Sequence, residues 1–144
     1  CTPSACMKVL EHYGIDCTGK KVVVIGRSLV VGKPAAMMLL KKNATVTVCH
    51  TRTADMPSVV KEADIVVVAA GKAGVIDGSY LREGQIVIDV GINGNAEGKL
   101  CGDVNFEEAE KIVDAITPVP RGVGGVTTSI LLEHVVDAAI AQNR

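Results

Sequence analysis

The sequence predicts an α/β domain in which a doubly wound, mainly parallel sheet is flanked by helices. Short runs of Val and Ile, each of strand length, alternate along the 144 residues with segments of helical periodicity. The runs are apolar throughout, which is typical of parallel strands that helices cover on both faces. Strands alternating with helices favour right-handed crossovers within a single sheet. We therefore expect one domain over residues 1–144, a length that can bury a substantial core.

An opening helix is predicted from the first residues to about Tyr13. Thr2 suits its N-cap and Pro3 its first helical position, while Gly14 suits the C-terminal cap. The segment that follows organises the rest of the chain.

That segment consists of a strand, a glycine turn and the start of a helix. The predicted strand is Lys21–Ile25, Gly26 allows a sharp turn, Gly32 permits close packing, and Pro34 suits the first turn of a helix over 33–42. A helix entered through such a loop presents free backbone N–H groups and a positive dipole end. Together they form an anion site, most often for a nucleotide phosphate.

The glycine turn differs from the usual dinucleotide-binding pattern. Gly-x-Gly-x-x-Gly would require a second glycine where this chain has Ser28. An ordinary turn without a ligand is thus one reading of the segment. Arg27 and Ser28 place a cation and a hydroxyl beside the anion site, and they favour a ligand.

The loop after the second predicted strand (45–49) bears on the choice of cofactor. NAD-selective proteins usually place an acid about here to hold the ribose 2′-hydroxyl. In this chain the first acid is Asp55, and the loop that begins at His50 offers Thr51 and Arg52 instead. With the arginine of the glycine turn, these groups suit a 2′-phosphate, so we predict NADP as the cofactor. The alternative is a solvated polar loop.

The remaining elements continue the alternation. The loop at Gly71 contains small residues that allow a flat ring to lie against the backbone, and Asp89 and Asp103 are expected to cap turns. The helix after the glycine turn is expected to bury Met37 and Leu40. The other predicted elements are a helix over 55–63, strands over 64–69, 85–90 and 112–116, a helical turn over 80–83, a hairpin or projecting loop over 93–102, a helix capped by Asn105, irregular chain over 117–125 and a final helix from 127 or 128 to about 142. The expected buried face of the final helix comprises Leu131, Leu132, Val135, Val136 and Ala139.

Parallel strands end at one edge of their sheet, and ligands of such folds bind beyond that edge. The loops predicted to meet there contain Gly26, His50–Thr53, Gly71, Gly91 and Thr117–Gly125.

Composition narrows the classes of function. A net charge of −1 and 2% aromatic residues do not favour nucleic-acid binding. We see no apolar run near membrane-spanning length and no signal-peptide pattern. The five cysteines lack metal-site spacing, so we expect no metal site. Their odd number indicates reduced thiols and a cytoplasmic protein. The start at Cys1 is compatible with a processed product or a fragment of a longer protein.

Taken together, the loops resemble the NADP-binding domain of bifunctional methylenetetrahydrofolate dehydrogenase/methenyltetrahydrofolate cyclohydrolase, which is Rossmann-like. The resemblance extends over essentially the whole chain. The segments that carry it are Cys1-Thr2-Pro3, Gly26-Arg27-Ser28 with Val31-Gly32 and Pro34, Cys49-His50-Thr51-Arg52-Thr53, Gly91-Ile92-Asn93, Gly102-Asp103-Val104 and Thr117-Pro118-Val119-Pro120.

The resemblance implies a cofactor site and a neighbouring substrate site. The Gly-Arg-Ser turn would hold cofactor phosphates, Thr51 the 2′-phosphate and Ile92 the nicotinamide half. The implied cofactor-binding residues are Gly26, Arg27, Ser28, Val31, Thr51, Arg52, Gly71, Ile92, Thr127 and Thr2. Pro120 and Gly122 would lie near the substrate. The family pattern Pro-Gly-Gly-Val-Gly-Pro-Met-Thr corresponds here to Pro120 through Thr127, with departures at Arg121, Gly125 and Val126.

The resemblance also implies an activity to which this chain contributes only in part. The family oxidises 5,10-methylenetetrahydrofolate with NADP and hydrolyses the product to 10-formyltetrahydrofolate, using a Tyr-x-x-x-Lys pair of a preceding domain. Tyr13 and Tyr80 are not followed by Lys at that spacing, so we expect no catalytic residue in this chain. The implied partners are tetrahydrofolate derivatives, bound through the missing N-terminal domain, and a second copy of the chain. We expect the final helix (128–142) to pack on the missing domain, and its exposed patch to make the isolated chain self-associate.

Two other functions stay open on the sequence. One is a stand-alone NADP-binding or sensor module. The other is the cofactor domain of a different dehydrogenase, such as shikimate dehydrogenase, against which the Thr117–Pro120 segment and the Thr2-Pro3 cap argue.

Overall fold

A computed structural model describes all 144 residues and contains a five-stranded parallel sheet in the order β2-β1-β3-β4-β7. Its strands are β1 (Lys21–Ile25), β2 (Thr45–Cys49), β3 (Ile65–Val68), β4 (Ile86–Asp89) and β7 (Ala115–Ile116). An antiparallel hairpin is formed by β5 (Asn93–Gly94) and β6 (Leu100–Cys101). The Rossmann-like, doubly wound α/β prediction is confirmed.

Five helices flank the sheet, and α1 packs against α2 and α5. They are α1 (Thr2–His12), α2 (Gly32–Lys41), α3 (Met56–Lys61), α4 (Phe106–Ala109) and α5 (Val123–Gln142), with a 3₁₀ turn at Gly78–Tyr80.

Two apolar clusters cover the two faces of the sheet, because successive strand residues point to opposite sides. Val22 and Val24 of β1 face α1 and α2, whereas Val23 and Ile25 face the side of α3 and α4. Four of the five β1 residues are buried, with Lys21 exposed, and all four residues of β3 are buried. Each such side chain contributes about 1.5–3 kcal/mol on burial.

The predicted buried face of α2 is wrong. Met37 and Leu40 are 64% and 51% exposed, and the helix instead buries Ala35, Ala36 and Leu39. These residues are spaced at i, i+1 and i+4, and the two alanines allow the helix axis to approach the sheet closely.

The final helix also differs from its prediction. It begins at Val123, so residues 123–125 are helical rather than irregular, and it buries only Val123 and Ile130. The predicted apolar face is exposed, because no other part of the chain lies against it. By length and mean hydropathy, 1.3 over its most apolar window, α5 could cross a membrane, so the expectation that no run approaches that length is wrong. A single helix of this length and hydropathy is weak evidence for a membrane span. Glu133 and Asp137, near the middle of α5, would be costly to place in a bilayer.

The helix caps, the helical turn, the last strand and the hairpin differ only slightly from their predictions. Cys1 is the N-cap of α1, and Thr2 is already helical. The predicted helical turn at 80–83 is a 3₁₀ turn two residues earlier, and β7 is shorter than predicted. Asn105 caps α4 by accepting the N–H of Glu108, and the predicted hairpin is present.

Candidate functional site at the carboxyl edge of the sheet

The loops that follow the five parallel strands meet at one edge of the sheet. The chain passes from β2 across β1 to β3, so the winding reverses between β1 and β3. Crevices at such reversals are where ligands bind in open α/β sheets. The predicted grouping of these loops is confirmed.

Two glycines shape the loop after β1. Gly26 has φ +119°, and a Cβ built on it would lie 2.1 Å from the carbonyl oxygen of Ala69 at the end of β3. A Cβ on Gly32, the first residue of α2, would lie 2.1 Å from the carbonyl oxygen of Gly26. The loop is therefore pressed against β3 and α2 at distances that only glycine allows.

Ser28 holds the tip of this loop. Its Oγ accepts the N–H groups of Val31 at 3.0 Å and Gly32 at 3.4 Å, and its carbonyl oxygen accepts the N–H of Lys33 at 3.0 Å. The hydroxyl hydrogen remains available to an anion outside the loop. The structure thus explains why serine can replace the second glycine of the usual pattern.

The same loop offers donors that the chain itself does not use. The N–H groups of residues 27–30 make no hydrogen bond within the protein, and the exposed Arg27 side chain makes no ion pair. Val31, half-buried, precedes α2 directly as its N-cap. Unpartnered N–H groups, a helix N-terminus and a guanidinium form an arrangement suited to phosphate.

The loop after β2 is a compact turn built around His50. The His50 N–H donates to Thr53 Oγ1 at 2.8 Å, and the Arg52 N–H donates to His50 Nδ1 at 3.2 Å. Because Nδ1 accepts a hydrogen bond, the neutral ring carries its hydrogen on Nε2. Thr51 and Arg52 project into solvent without a partner in the chain, while burial raises the pKa of the Cys49 thiol at the base of the turn.

A buried carboxylate connects the loop after β3 to the hairpin. Asp103 Oδ2 accepts the N–H groups of Ala70 at 2.7 Å and Gly71 at 2.9 Å, and Oδ1 accepts Asn93 Nδ2 at 2.8 Å. The Gly71 N–H is therefore occupied, and Gly71 offers a ligand only open space above its Cα. Asp103 thus fixes the floor of the crevice.

Asp89, the last residue of β4, is a second buried carboxylate. It accepts the N–H groups of Gly91 at 2.9 Å, Asp103 at 3.1 Å and Val104 at 3.0 Å. Burial raises its pKa, although the three N–H groups act in the opposite direction. The prediction of a turn cap is confirmed for Asp89, which accepts the Gly91 N–H two residues on, whereas Asp103 accepts its hydrogen bonds from residues 10 to 33 positions earlier in the chain. Such distant links give no sequence signal.

The end of β4 and the start of α5 carry the remaining predicted residues. Ile92 is 68% exposed at the edge, although it is a large apolar side chain. Thr127 lies in the second turn of α5 and donates to the Val123 carbonyl at 3.0 Å, which leaves its hydroxyl oxygen able to accept. Pro120 and Gly122 flank Arg121 in the loop before α5.

Thr2 is the predicted cofactor residue with no connection to these loops. It lies in the first turn of α1, next to Cys1, whose Sγ is 3.7 Å from His134 Nδ1 of α5. No hydrogen bond joins Thr2 to any loop of the edge, and its role in cofactor binding stays a prediction. No group of three or more His, Cys, Asp or Glu side chains is arranged to hold a metal ion.

A groove of about 940 Å³ runs along the face of β4 and β7 that α1 and α5 leave uncovered. Ile88 and Ile116 contribute to its apolar wall, and Arg121 and Val126 line it near the carboxyl edge. Lys8 and His12 line it from α1.

Comparisons with known proteins agree with this geometry. Residues 1–143 match the profile of the family described as tetrahydrofolate dehydrogenase/cyclohydrolase, NAD(P)-binding domain. The chain is 59% identical to the bifunctional protein FolD of Clostridium botulinum (strain Langeland) over 139 residues, which cover 96% of this chain and 49% of that protein. It is 56% identical to the bifunctional protein FolD of Carboxydothermus hydrogenoformans over 140 residues, again 96% and 49%.

Two solved structures are closely similar. The Campylobacter jejuni bifunctional FolD methylenetetrahydrofolate dehydrogenase/cyclohydrolase superposes with a TM-score of 0.96 at 48% identity, over 99% of this chain and 50% of that one. The Trypanosoma brucei FolD, complexed with NADP cofactor and inhibitor, gives 0.92 at 42% identity, over 100% and 51%. The chain thus spans about half the length of the relatives it matches. With its glycine loop, its parallel sheet and these matches, the chain belongs to the tetrahydrofolate dehydrogenase/cyclohydrolase NAD(P)-binding domain family.

Proposed function

We propose that this chain is the NADP-binding half of a bifunctional enzyme that oxidises 5,10-methylenetetrahydrofolate to 5,10-methenyltetrahydrofolate and hydrolyses that product to 10-formyltetrahydrofolate. The observation that carries the proposal is the loop after β1. Its unpartnered N–H groups at residues 27–30 lie at the N-terminus of α2, beside the point between β1 and β3 where the winding of the sheet reverses. Similar solved structures are those of methylenetetrahydrofolate dehydrogenase/cyclohydrolases, one of them complexed with NADP.

The chain's own residues would bind and orient the cofactor. The amides of the glycine loop and Arg27 would hold the pyrophosphate, and Thr51 and Arg52 would hold the 2′-phosphate. Bound NADP⁺ supplies a hydride acceptor. Ile92 would pack against the nicotinamide and exclude water from that side of the ring.

Three groups at the edge that could take part in proton transfer already accept hydrogen bonds within the chain. Asp89 accepts three backbone N–H groups, Asp103 accepts two backbone N–H groups and the Asn93 side-chain amide, and His50 Nδ1 accepts a hydrogen bond within its own turn. This supports the proposal that catalytic groups belong to another part of the protein. We propose that the uncovered face of α5 packs on that part, that the protein is a cytoplasmic homodimer, and that its folate substrates are one-carbon donors used in purine biosynthesis.

A second candidate, a stand-alone NADP-binding module, is favoured by the same hydrogen bonds to Asp89, Asp103 and His50. It would bind the cofactor through the same residues and carry out no reaction. The two candidates differ in whether the natural protein, with any region that accompanies this chain, turns over methylenetetrahydrofolate.

The test of cofactor binding is a pair of calorimetric titrations, with NADP⁺ and NAD⁺. Substituting Arg52→Ala should weaken NADP⁺ binding by about ten-fold or more, because a charge-assisted hydrogen bond contributes roughly 1.5–3 kcal/mol. NAD⁺ binding should not change. Lys20→Ala, which removes an exposed cation at the opposite edge of the sheet, is the control. Equal affinities for the two cofactors, unaffected by Arg52→Ala, would refute the assignment of the 2′-phosphate site.

A further inference from the structure

Asp103 joins two loops of the carboxyl edge through one buried side chain. Its Oδ2 atom accepts the N–H groups of Ala70 at 2.7 Å and Gly71 at 2.9 Å, both in the loop after β3. Its Oδ1 atom accepts Asn93 Nδ2 at 2.8 Å, beyond the end of β4. Asp103 has no exposed surface, so solvent water does not replace these donors, and a loop that lost its bond would have to move to find another partner.

Asp103 is itself held in place by Asp89. The Asp89 carboxylate accepts the N–H groups of Asp103 at 3.1 Å, Val104 at 3.0 Å and Gly91 at 2.9 Å. A Cβ on Gly91 would lie 2.3 Å from Asp103 Cγ, so the loop after β4 is pressed against the Asp103 carboxyl group. The carboxyl group therefore cannot turn away without moving that loop.

Ile92 is the side chain that this arrangement presents at the edge. It is 68% exposed, and the residues on either side of it are both tied to buried carboxylates. An isoleucine held in solvent in this way is buried only when something outside the chain covers it. In the neighbouring loop, nothing lies within 4 Å of the Cβ position of Gly71, which leaves open space above the backbone.

The strand order indicates which part of the proposed cofactor reaches these two loops. The loop after β2 carries the groups proposed for the 2′-phosphate, the loop after β1 carries the pyrophosphate donors, and β3 and β4 follow next in the sheet. Val68 and Asp89, the last residues of β3 and β4, are register partners, so the two loops leave the sheet side by side. A dinucleotide laid across the edge from β2 would place its nicotinamide half over these loops, with β4 roughly 10 Å beyond β1.

We propose that Asp103 is a positioning residue for the nicotinamide half of the cofactor, because it sets the separation between the Gly71 loop and the Ile92 loop. Its side chain is covered by these loops, so it acts through their backbone and does not touch the cofactor. The proposal rests on the proposed function, which supplies the cofactor. It predicts that the two halves of NADP⁺ depend on different parts of the edge.

The test compares calorimetric titrations with NADP⁺ and with adenosine 2′,5′-bisphosphate, which lacks the nicotinamide half. Asp103→Ala leaves the N–H groups of Ala70 and Gly71 without an acceptor, so NADP⁺ affinity should fall about ten-fold. Affinity for the bisphosphate should stay within about two-fold of the wild type, because the loops after β1 and β2 keep their own hydrogen bonds. Circular dichroism establishes that each variant is folded at the titration temperature.

Two further variants test the proposal even where Asp103→Ala does not fold. Asn93→Ala removes only the bond to the loop after β4, at a half-buried position, and should weaken NADP⁺ binding about three-fold without affecting the bisphosphate. Asp103→Asn should retain most of the NADP⁺ affinity, since its amide oxygen can accept the two backbone N–H groups and the Asn93 amide can turn to accept its NH₂ group.

Asp64→Ala is the matched control. Asp64 also accepts a distant backbone N–H, that of Lys21 at 2.9 Å, but it precedes β3 and lies at the opposite edge of the sheet. Its loss should lower the melting temperature and leave the ratio of the two affinities unchanged.

Wild-type NADP⁺ affinity in both Asp103→Ala and Asn93→Ala would overturn the proposal and leave the cofactor function standing. An equal loss of both ligands in the folded variants would overturn it as well, because Asp103 would then support the whole edge. The same holds if Asp64→Ala changes the ratio, or if Asp103→Asn is as weak as Asp103→Ala. If the wild type binds neither ligand, the proposed cofactor function fails, and the role of Asp103 fails with it.

Discussion

Gly32→Ala tests the close approach on which the phosphate loop depends. Gly32 has no positive φ, so alanine carries no backbone penalty, and the whole effect is steric. The new Cβ would lie 2.1 Å from the Gly26 oxygen and 2.9 Å from the Arg27 nitrogen. Ordinary contact begins at 3.4 Å, so the loop must move by about 1.3 Å, the difference between 3.4 and 2.1 Å.

That movement is opposed on the far side of the loop. Gly26 is held by its N–H bond to the Cys49 oxygen at 2.8 Å and is itself in contact with Ala69. Overpacking against fixed backbone costs about 3 kcal/mol, which lowers the melting temperature by about 10 °C in a chain of this size. We also expect NADP⁺ affinity to fall by at least about ten-fold, since a shift of 1 Å misaligns the phosphate donors.

The measurements are thermal unfolding by circular dichroism and calorimetric titration. Gly124→Ala is the matched control: Gly124 is also in the first turn of a helix, but nothing lies within 4 Å of its Cβ position. It should stabilise the chain by about 0.5 kcal/mol through helix propensity. If Gly32→Ala melts within 2 °C of the wild type and binds NADP⁺ normally, our account of the loop is wrong.

Three further outcomes are expected. At pH 8 a disulfide reagent such as DTNB should react rapidly only with the accessible thiols of Cys1 and Cys101, because the other three cysteines are buried. Burial raises the pKa of the Cys6 thiol to about 12. Raising the pH to 9 should therefore make none of the three buried thiols reactive before the protein unfolds. Ile92→Ala should leave the melting temperature nearly unchanged, because the side chain is exposed, while weakening NADP⁺ binding in calorimetry by about three-fold. Val136→Lys, on the uncovered face of α5, should reduce self-association of the isolated chain in sedimentation velocity; a monomeric wild type at high concentration would contradict the expectation.

Most strands could be predicted from the sequence because a fully buried parallel strand leaves a strong local signal. The runs of Val and Ile at β1 and β3 match the observed strands closely. The buried face of a helix was harder to predict from the sequence. Ala35, Ala36 and Leu39 form the buried stripe of α2, and the larger Met37 drew the prediction to the opposite face. Alanine gives a weak hydrophobic signal, but it allows the closest packing.

The start of α5 and the aspartate links could not be predicted for different reasons. Glycines within Val123–Gln142 suggested a loop, yet the helix begins there because Val123 is buried against the sheet. Asp103 takes hydrogen bonds from the loop after β3, some 32 residues earlier. Such a partner depends on tertiary structure, and no local periodicity reports it. The glycine loop was predicted because its requirements are met within seven consecutive residues.

At the carboxyl edge of the sheet, the groups that hold the loops in place by hydrogen bonds differ from the groups that are available to bind a ligand. Asp89, Asp103 and the Nδ1 atom of His50 each accept backbone N–H groups, and burial raises the pKa of Asp89. The unengaged groups are cations, hydroxyls and amides, which suit anions. An edge built in this way suits the binding and orientation of an anionic cofactor. On the proposed function, we expect the proton-transfer step to use groups from another part of the protein, and we expect that part to pack on the uncovered apolar face of α5.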